Sequence, residues 1–328
     1  MLTSLEKVRL LKISLIILLS LLIVASLYAN SYFNDLKTLT TLDQKKVSAF
    51  VADEAFKKKL DDLKIATGYS LKIFANTLNQ PVFITPGPFN GIIVADRSSN
   101  SLYQLVDNTG DNVSDFKTKI IGGFDNLSAV FWKHPFLYAA DATGIYQYDY
   151  QALEAVASDR EKIVEASDYG YEKIVRLEKL EKGIGIFTTS GKVYQYSDKA
   201  TGLSLLYDAW PLCPTDKTFI FHPCLNSASF STTTLQEVTE FYFTIINSSL
   251  FPAEDQGDIL AILIFKNGES KIVKIAVDNG QITAITDFIT GWSLASAKPG
   301  YIEFSADGQL FIADAHQGVI YKIIKINN

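Results

Sequence analysis

The chain has 328 residues, of which 48% are hydrophobic and 20% charged, so it can bury a sizeable core and is neither disordered nor collagen-like. Thirty Lys and Arg against 36 Asp and Glu leave a net charge of -6, and a nucleic acid is not held without clusters of cations. Nucleic acid is therefore excluded as a partner. Abundant aromatic and β-branched residues favour strands beyond the first segments.

The first predicted element is an apolar run, residues 13–34, which carries no charge. As a helix these residues span roughly 33 Å, enough to cross a bilayer core. Lys7, Arg9 and Lys12 precede the run, so the positive-inside rule keeps the N-terminus cytoplasmic. Residues 1–34 are thus predicted as a cytoplasmic tip and membrane anchor, with the main domain periplasmic or extracellular. A signal peptide cleaved near residues 29–31 is the alternative.

The second predicted element is a short helical stalk, residues 35–67. This segment alternates Lys with Asp and Glu, and apolar residues such as Val47, Val51 and Leu60 fall near helical spacing. Such a helix is either a solvated linker or a surface for a partner.

Residues 68–328 contain an internal repeat. Each unit joins an apolar strand, a small polar loop and a second strand, in which the equivalent positions are Tyr103, Tyr146, Tyr194, Val273 and Tyr321. These positions are separated by 43, 48, 79 and 48 residues, and the interval of 79 is interpreted as two units. The repeat therefore predicts six units, each about the size of a four-stranded propeller blade.

The two ends of the repeat each supply one unpaired strand. We therefore expect residues 71–74 to pair with residues 321–324 as the outermost strand of the last blade, since closure removes exposed sheet edges. The predicted fold class is all-β: a six-bladed β-propeller closed by N- and C-terminal strands, preceded by one transmembrane helix and the helical stalk.

Several stretches of the repeat resemble a known family. They include YSLKIFANTLNQPVF after Gly68, PAEDQGDILAIL after Phe251 and IEFSADGQLFIADAHQGVIYKI after Tyr301. These stretches are similar to pyrroloquinoline-quinone-dependent sugar dehydrogenases of the soluble glucose dehydrogenase and sorbosone dehydrogenase type. The resemblance implies a six-bladed propeller with a cofactor face, calcium ions and a His that takes a proton from a sugar hydroxyl.

The chemical residues of that family are not matched. Leu127 stands where the resemblance places the catalytic His, and Arg97 is the one Arg expected in a loop on the cofactor face. The main prediction is therefore a non-catalytic binding or assembly module without a cofactor, which presents its channel face or stalk to a protein or glycan. The alternative is a quinone- or calcium-dependent oxidoreductase on a sugar-like substrate, using pyrroloquinoline quinone and Ca²⁺, with His316 near the reacting group.

Three carboxylates occupy equivalent loops of the repeat, Asp96, Asp141 and Asp314. They either form a rim that holds Ca²⁺ or accept hydrogen bonds from the backbone of their own loops. His316 follows one of them and is the one His expected on the channel face, as a base, a ligand or a solvated loop residue.

Cys213 and Cys224 are the two cysteines of the chain, and both adjoin a Pro. In an oxidising compartment a pair at this spacing is predicted to form a disulfide. A soft-metal site that includes His222, and two free thiols, are the alternatives.

Overall fold

The computed structural model of the protein describes residues 60, 62–150, 157–180, 182–190, 192–198, 200–207, 238–278, 281–292 and 299–326. All of them lie in one compact unit of the chain, residues 47–328. The described residues form 21 strands, arranged in five antiparallel sheets.

Three of the sheets each use four strands that are consecutive in the chain. The first contains β3 (Pro81–Pro86), β4 (Ile92–Asp96), β5 (Ser101–Val106) and β6 (Phe116–Gly122). The second contains β7 (Ala129–Lys133), β8 (Phe136–Asp141), β9 (Gly144–Asp149) and β10 (Ser158–Glu165). The third contains β11 (Ile174–Lys179), β12 (Ile184–Thr188), β13 (Val193–Tyr196) and β14 (Leu203–Tyr207).

The other two sheets each include a strand from the start of the folded unit. The fourth contains β15 (Val238–Ile245), β16 (Ile259–Phe265), β17 (Ser270–Asp278) and β18 (Gln281–Trp292), and β1 (Lys64–Ile65) pairs with the outer edge of β18. The fifth contains β19 (Pro299–Phe304), β20 (Leu310–Asp314) and β21 (Val319–Lys325), followed by β2 (Tyr69–Ala75) as its outermost strand. Short 3-10 turns lie at Ala166–Tyr169 and Ala253–Asp255.

The pairing of β2 with β21 confirms the predicted closure. Leu71 lies opposite Ile323, and Ile73 lies opposite Tyr321. The predicted repeat positions are also confirmed, because all five of them fall in the third strand of a sheet, namely β5, β9, β13, β17 and β21. The first strands β3, β7, β11, β15 and β19 pack around a common centre. Each sheet is therefore one blade of a propeller.

Burial explains why the second strand of a blade is so apolar. In β4, β12 and β20 every residue is buried, since each of these strands lies between strands of its own blade and is covered by the neighbouring blades on both faces. A strand covered on both faces gains by carrying apolar or β-branched residues at every position instead of alternate ones.

The prediction of six blades is wrong: the described residues form five. The interval between Tyr194 and Val273, interpreted as two units, contains β14, which completes the third blade, and β15 and β16, which begin the fourth. Residues 208–237, between β14 and β15, lie outside the described residues. Spacing between equivalent positions counts residues and not strands, so a long interval does not by itself indicate another blade.

The predicted membrane span is also corrected. No helix among the described residues is long and apolar enough to cross a membrane, so the expected anchor, membrane partner and cytoplasmic N-terminus are not supported. The run 13–34 itself lies outside the described residues. An apolar run shows only that a helix there would be stable in lipid, not that the helix exists. At the end of the predicted stalk, Lys64 and Ile65 form strand β1.

A buried lysine on β21 gives the fold a predictable pH dependence. Lys322 packs over the rings of Phe74 and Phe311, and its Nζ lies 3.7 Å from Oδ2 of Asp107. Burial lowers the pKa of Lys322 although Asp107 opposes the shift. The unfolded chain therefore binds this proton more tightly, and the free energy of unfolding should rise with pH from the folded pKa up to about 10.5.

We expect Lys322→Met to remove this alkaline rise, as measured by urea denaturation between about pH 7 and 10.5. Lys72 lies opposite Lys322 on β2 but is exposed, so Lys72→Met is the matched control and should leave the rise unchanged. The same pH dependence in the wild type and Lys322→Met would contradict the assignment.

Candidate functional site

The channel mouth of the propeller holds a cavity of about 580 Å³. The first strands β3, β11, β15 and β19 contribute to its wall, together with the β2–β3, β4–β5 and β20–β21 connections. Its lining comprises Asn79, Gln80, Val82, Phe83, Arg97, Ser98, Lys173, Val175, Tyr242, Gly300, Ala315 and His316. Val82, Phe83, Val175 and Tyr242 lie on the first strands, whereas the bases lie on the connections or just before a strand, so the cavity has an apolar interior and a polar rim.

Three bases line this cavity, Arg97, Lys173 and His316, and none of its described lining residues is acidic. Arg97 is half-buried, and its Nε donates a 3.2 Å hydrogen bond to the carbonyl of Leu127, which fixes the guanidinium at the rim. Lys173 and His316 are exposed. A concave surface with several bases attracts anionic groups.

Two of the predicted carboxylates, Asp96 and Asp314, hold the loops that carry Arg97 and His316. Asp96 accepts hydrogen bonds from the backbone N–H groups of Asn79 (2.8 Å) and Gln80 (3.1 Å), which ties the β2–β3 connection to the turn that carries Arg97. Asp314 accepts from the backbone N–H groups of His316 (3.0 Å) and Gln317 (3.1 Å). Both carboxylates are buried beneath the rim.

The third carboxylate, Asp141, holds an equivalent loop in the second blade. It accepts from the backbone N–H and Oγ1 of Thr143 at 2.8 and 2.7 Å, and from the backbone N–H of Asp125 at 3.1 Å. The described part of the chain contains no group of three His, Cys, Asp or Glu that could hold a metal ion. Calcium at Asp96, Asp141 and Asp314 therefore stays a prediction.

Next to the cavity lies an ion cluster centred on Arg176, which directly follows a lining residue in the sequence. Val175 and Tyr242 line the wall, and the next residues are Arg176 and Phe243. Arg176 Nη1 donates a 2.9 Å hydrogen bond to the carbonyl of Phe243, and Arg176 Nη2 lies 3.7 Å from Oε2 of Glu303. The cluster thus joins the first strands of the third, fourth and fifth blades.

Two further contacts complete the cluster. Arg176 Nε lies 3.0 Å from Oε2 of Glu178, and Thr244 Oγ1 donates a 3.0 Å hydrogen bond to Oε1 of Glu303. Burial raises the pKa of Glu303 although the Arg176 cation opposes the shift. The sequence expectations did not include this cluster. The available signal was Arg176 itself, a charged residue between the apolar Val175 and Leu177 in the strand IVRLEK.

The structure brings two candidate residues together and leaves others apart. His316 and Arg97 lie in the same cavity. Leu127, at the position where the resemblance places the base, is fully buried in the core and is not part of the lining. Cys213, Cys224 and His222 lie outside the described residues, so the disulfide stays a prediction.

Comparison with solved structures identifies the class of the fold. The chain is similar to the holo form of the pyranose dehydrogenase PQQ domain from Coprinopsis cinerea, with a TM-score of 0.54, 12% identity, and coverage of 80% of this chain and 97% of the other. It is similar to the soluble aldose sugar dehydrogenase from Escherichia coli in the apo form, with a TM-score of 0.51, 12% identity, and coverage of 79% and 100%. No family model and no curated protein matches the sequence.

A third similar structure is a Trichoderma reesei protein of carbohydrate-active enzyme family AA12, with a TM-score of 0.50, 14% identity, and coverage of 80% of this chain and 98% of the other. The protein is therefore a propeller of the type found in pyrroloquinoline-quinone-dependent sugar dehydrogenases. At these identities the likeness establishes the fold, and the chemistry has to be argued from the cavity.

Proposed function

We propose that the protein is a quinone-dependent oxidoreductase that acts on a sugar-like substrate in the channel-mouth cavity. The observation that carries the proposal is the presence of Arg97, Lys173 and His316 in one cavity of about 580 Å³. Arg97 is the one Arg expected on this face, but Lys173 lies in the same cavity, so two cations face the carboxylates of pyrroloquinoline quinone and His316 remains for the substrate. The donor set therefore fits this cofactor, although no cluster of acidic ligands for calcium accompanies it in the described residues.

The lining residues have distinct roles in this proposal. Arg97 and Lys173 bind carboxylates at the rim, where a guanidinium forms paired hydrogen bonds. When bound, the quinone supplies the acceptor for the two electrons released by the substrate alcohol. His316 accepts the proton of the substrate hydroxyl, because an imidazole nitrogen with a free lone pair can act as a general base.

The inner wall of the cavity suits a flat ligand. Val82 and Phe83 are buried, and the Phe83 ring packs on Tyr301 with a centroid distance of 4.8 Å. Tyr242 contributes a further aromatic surface. This wall would exclude water from one side of a bound ring system and hold it beneath the bases.

The test is dye reduction with aldoses and sorbosone after reconstitution with pyrroloquinoline quinone and Ca²⁺. We expect His316→Ala to lower kcat by about 100-fold, the usual size of a lost general base, while the cofactor still binds. Arg97→Ala should instead weaken cofactor binding by about tenfold, measured by calorimetry. His134→Ala is the control, since His134 is exposed in the β7–β8 turn and does not line the cavity.

A second candidate function is a non-catalytic module that binds a small carboxylated ligand in the same cavity. The buried Leu127 favours it, because this side chain can neither accept a proton nor ligate a metal. Cofactor binding without dye reduction would support the module, and reduction that His316→Ala leaves unchanged would contradict the assigned base. Absence of both binding and reduction would contradict the oxidoreductase.

A further inference from the structure

The segment that leads into β11 has an uncommon backbone conformation. Gly170 and Tyr171 both have left-handed φ angles, +73° and +59°, and a bulky residue such as Tyr rarely adopts one. A conformation of this kind persists only where surrounding contacts hold it. Contacts of the neighbouring residues must therefore fix this segment, which reaches Lys173 in the wall of the channel-mouth cavity two residues later.

Glu172, the residue before Lys173, contacts the turn between β12 and β13. Its Oε1 lies 2.9 Å from Nζ of Lys192, and its Oε2 accepts a hydrogen bond from Oγ of Ser190. The main chain is joined to the same turn, because the N–H of Thr189 donates a 2.9 Å hydrogen bond to the carbonyl of Lys173. Side-chain and main-chain contacts thus both tie the segment to the third blade.

The carboxyl group of Glu172 is ionised at neutral pH. Partial burial opposes ionisation, but hydrogen bonds from Ser190, Thr188 and Lys192 lower the pKa of Glu172 to about 2. Glu172 and Lys192 therefore form a pair of opposite charges. Replacing both residues by uncharged ones removes the contact and leaves the net charge beside the cavity unchanged.

We propose that Glu172 is a positioning residue of the channel mouth, which anchors the segment that carries Lys173 and so raises the affinity for a carboxylated cofactor. The inference rests on the proposed function, in which Lys173 binds a carboxylate of pyrroloquinoline quinone. A lysine on a fixed main chain loses less conformational freedom when it binds its ligand. Glu172 does not line the cavity, so it acts on the cofactor through Lys173.

The experiment compares the full chain with a variant that lacks the charged pair, Glu172→Ala with Lys192→Met. Calorimetry with pyrroloquinoline quinone and Ca²⁺ should give a Kd about fivefold higher for this pair variant. Lys271→Met with Asp287→Ala is the matched control and should leave the Kd unchanged. It removes a pair whose Nζ and Oδ1 lie 2.7 Å apart in the fourth blade, and neither residue lines the channel mouth.

Combination with Lys173→Met distinguishes positioning from a general loss of stability. If Glu172 acts through Lys173, the pair variant should raise the Kd less than about twofold once Lys173 is replaced. In Arg97→Ala the pair variant should still raise the Kd about fivefold, because Arg97 belongs to the first blade. An equal increase in the wild type and Lys173→Met would overturn the proposal, as would an unchanged Kd in the pair variant.

Hydrogen exchange at the Thr189 amide provides a measurement that does not need the cofactor. This N–H donates to the carbonyl of Lys173, so it should exchange at least about threefold faster in the pair variant and at the wild-type rate in the control. If the wild type does not bind pyrroloquinoline quinone, the proposed function fails, and exchange at Thr189 decides whether Glu172 anchors the segment. Equal exchange rates in the wild type and the pair variant would overturn the anchor in either case.

Discussion

Replacing Arg176 by Met should lower the free energy of unfolding by about 2 kcal/mol, because it removes one partner of a partly buried ion cluster and leaves two carboxylates without a cation. Arg176 contacts Glu178, Glu303 and the carbonyl of Phe243, so the substitution weakens the contacts among three blades at once. Urea denaturation of the wild type and the variant measures the difference.

Arg160→Met is the matched control. Arg160 is 42% exposed and lies 3.9 Å from Asp141, so its loss should cost at most about 1 kcal/mol. Adding Glu303→Gln to Arg176→Met should recover part of the loss, since one uncompensated, partly buried charge is then removed. Equal losses for Arg160→Met and Arg176→Met, or strictly additive effects in the double variant, would show that the cluster does not act as a unit.

Gly318→Ala should also be severely destabilising, by roughly 2 to 4 kcal/mol, because it combines a backbone clash with a strained dihedral angle. Gly318 has φ of +70°, and a Cβ placed there would lie 2.1 Å from the carbonyl oxygen of Leu78. That carbonyl would have to move, and Asn79 and Gln80, which follow it, line the channel mouth. We therefore expect weaker binding of pyrroloquinoline quinone as well as lower stability, by calorimetry and urea denaturation.

Gly110→Ala separates the two causes. Gly110 has a similar φ of +76°, but a Cβ there meets no atom within 4 Å. The free energy of unfolding of this variant should fall only by the cost of the left-handed conformation, about 1 kcal/mol, and cofactor binding should be unchanged. If the two glycine variants lost the same stability, contact with Leu78 would not be the cause.

The local repeat allowed much of the fold to be predicted from the sequence. Apolar strands at a regular interval and a recurrent Tyr identified the third strand of each blade, and two unmatched terminal strands predicted the pairing of β2 with β21. The number of blades was not predictable in the same way. It depends on which strands pair across the interval from Tyr194 to Val273, and pairing is a property of the three-dimensional arrangement.

The candidate site was predictable only in part. Arg97 and His316 follow equivalent strands of two blades, so their shared face could be expected from the repeat. Lys173 precedes a strand in a third blade, and the cavity is defined by side chains from distant parts of the chain. Arg176 and Glu303 are far apart in the sequence, and no local pattern predicts their contact.

The completion of the fifth blade by β2 affects how the protein is made. During synthesis β2 leaves the ribosome roughly 250 residues before its partner β21, and long-range pairing of this kind is slow. Until β21 arrives, β20 has an unpaired edge and β2 has no sheet to join. A polypeptide that stops before β21 therefore displays two open strand edges, one on β20 and one on β2, that β21 pairs in the complete protein.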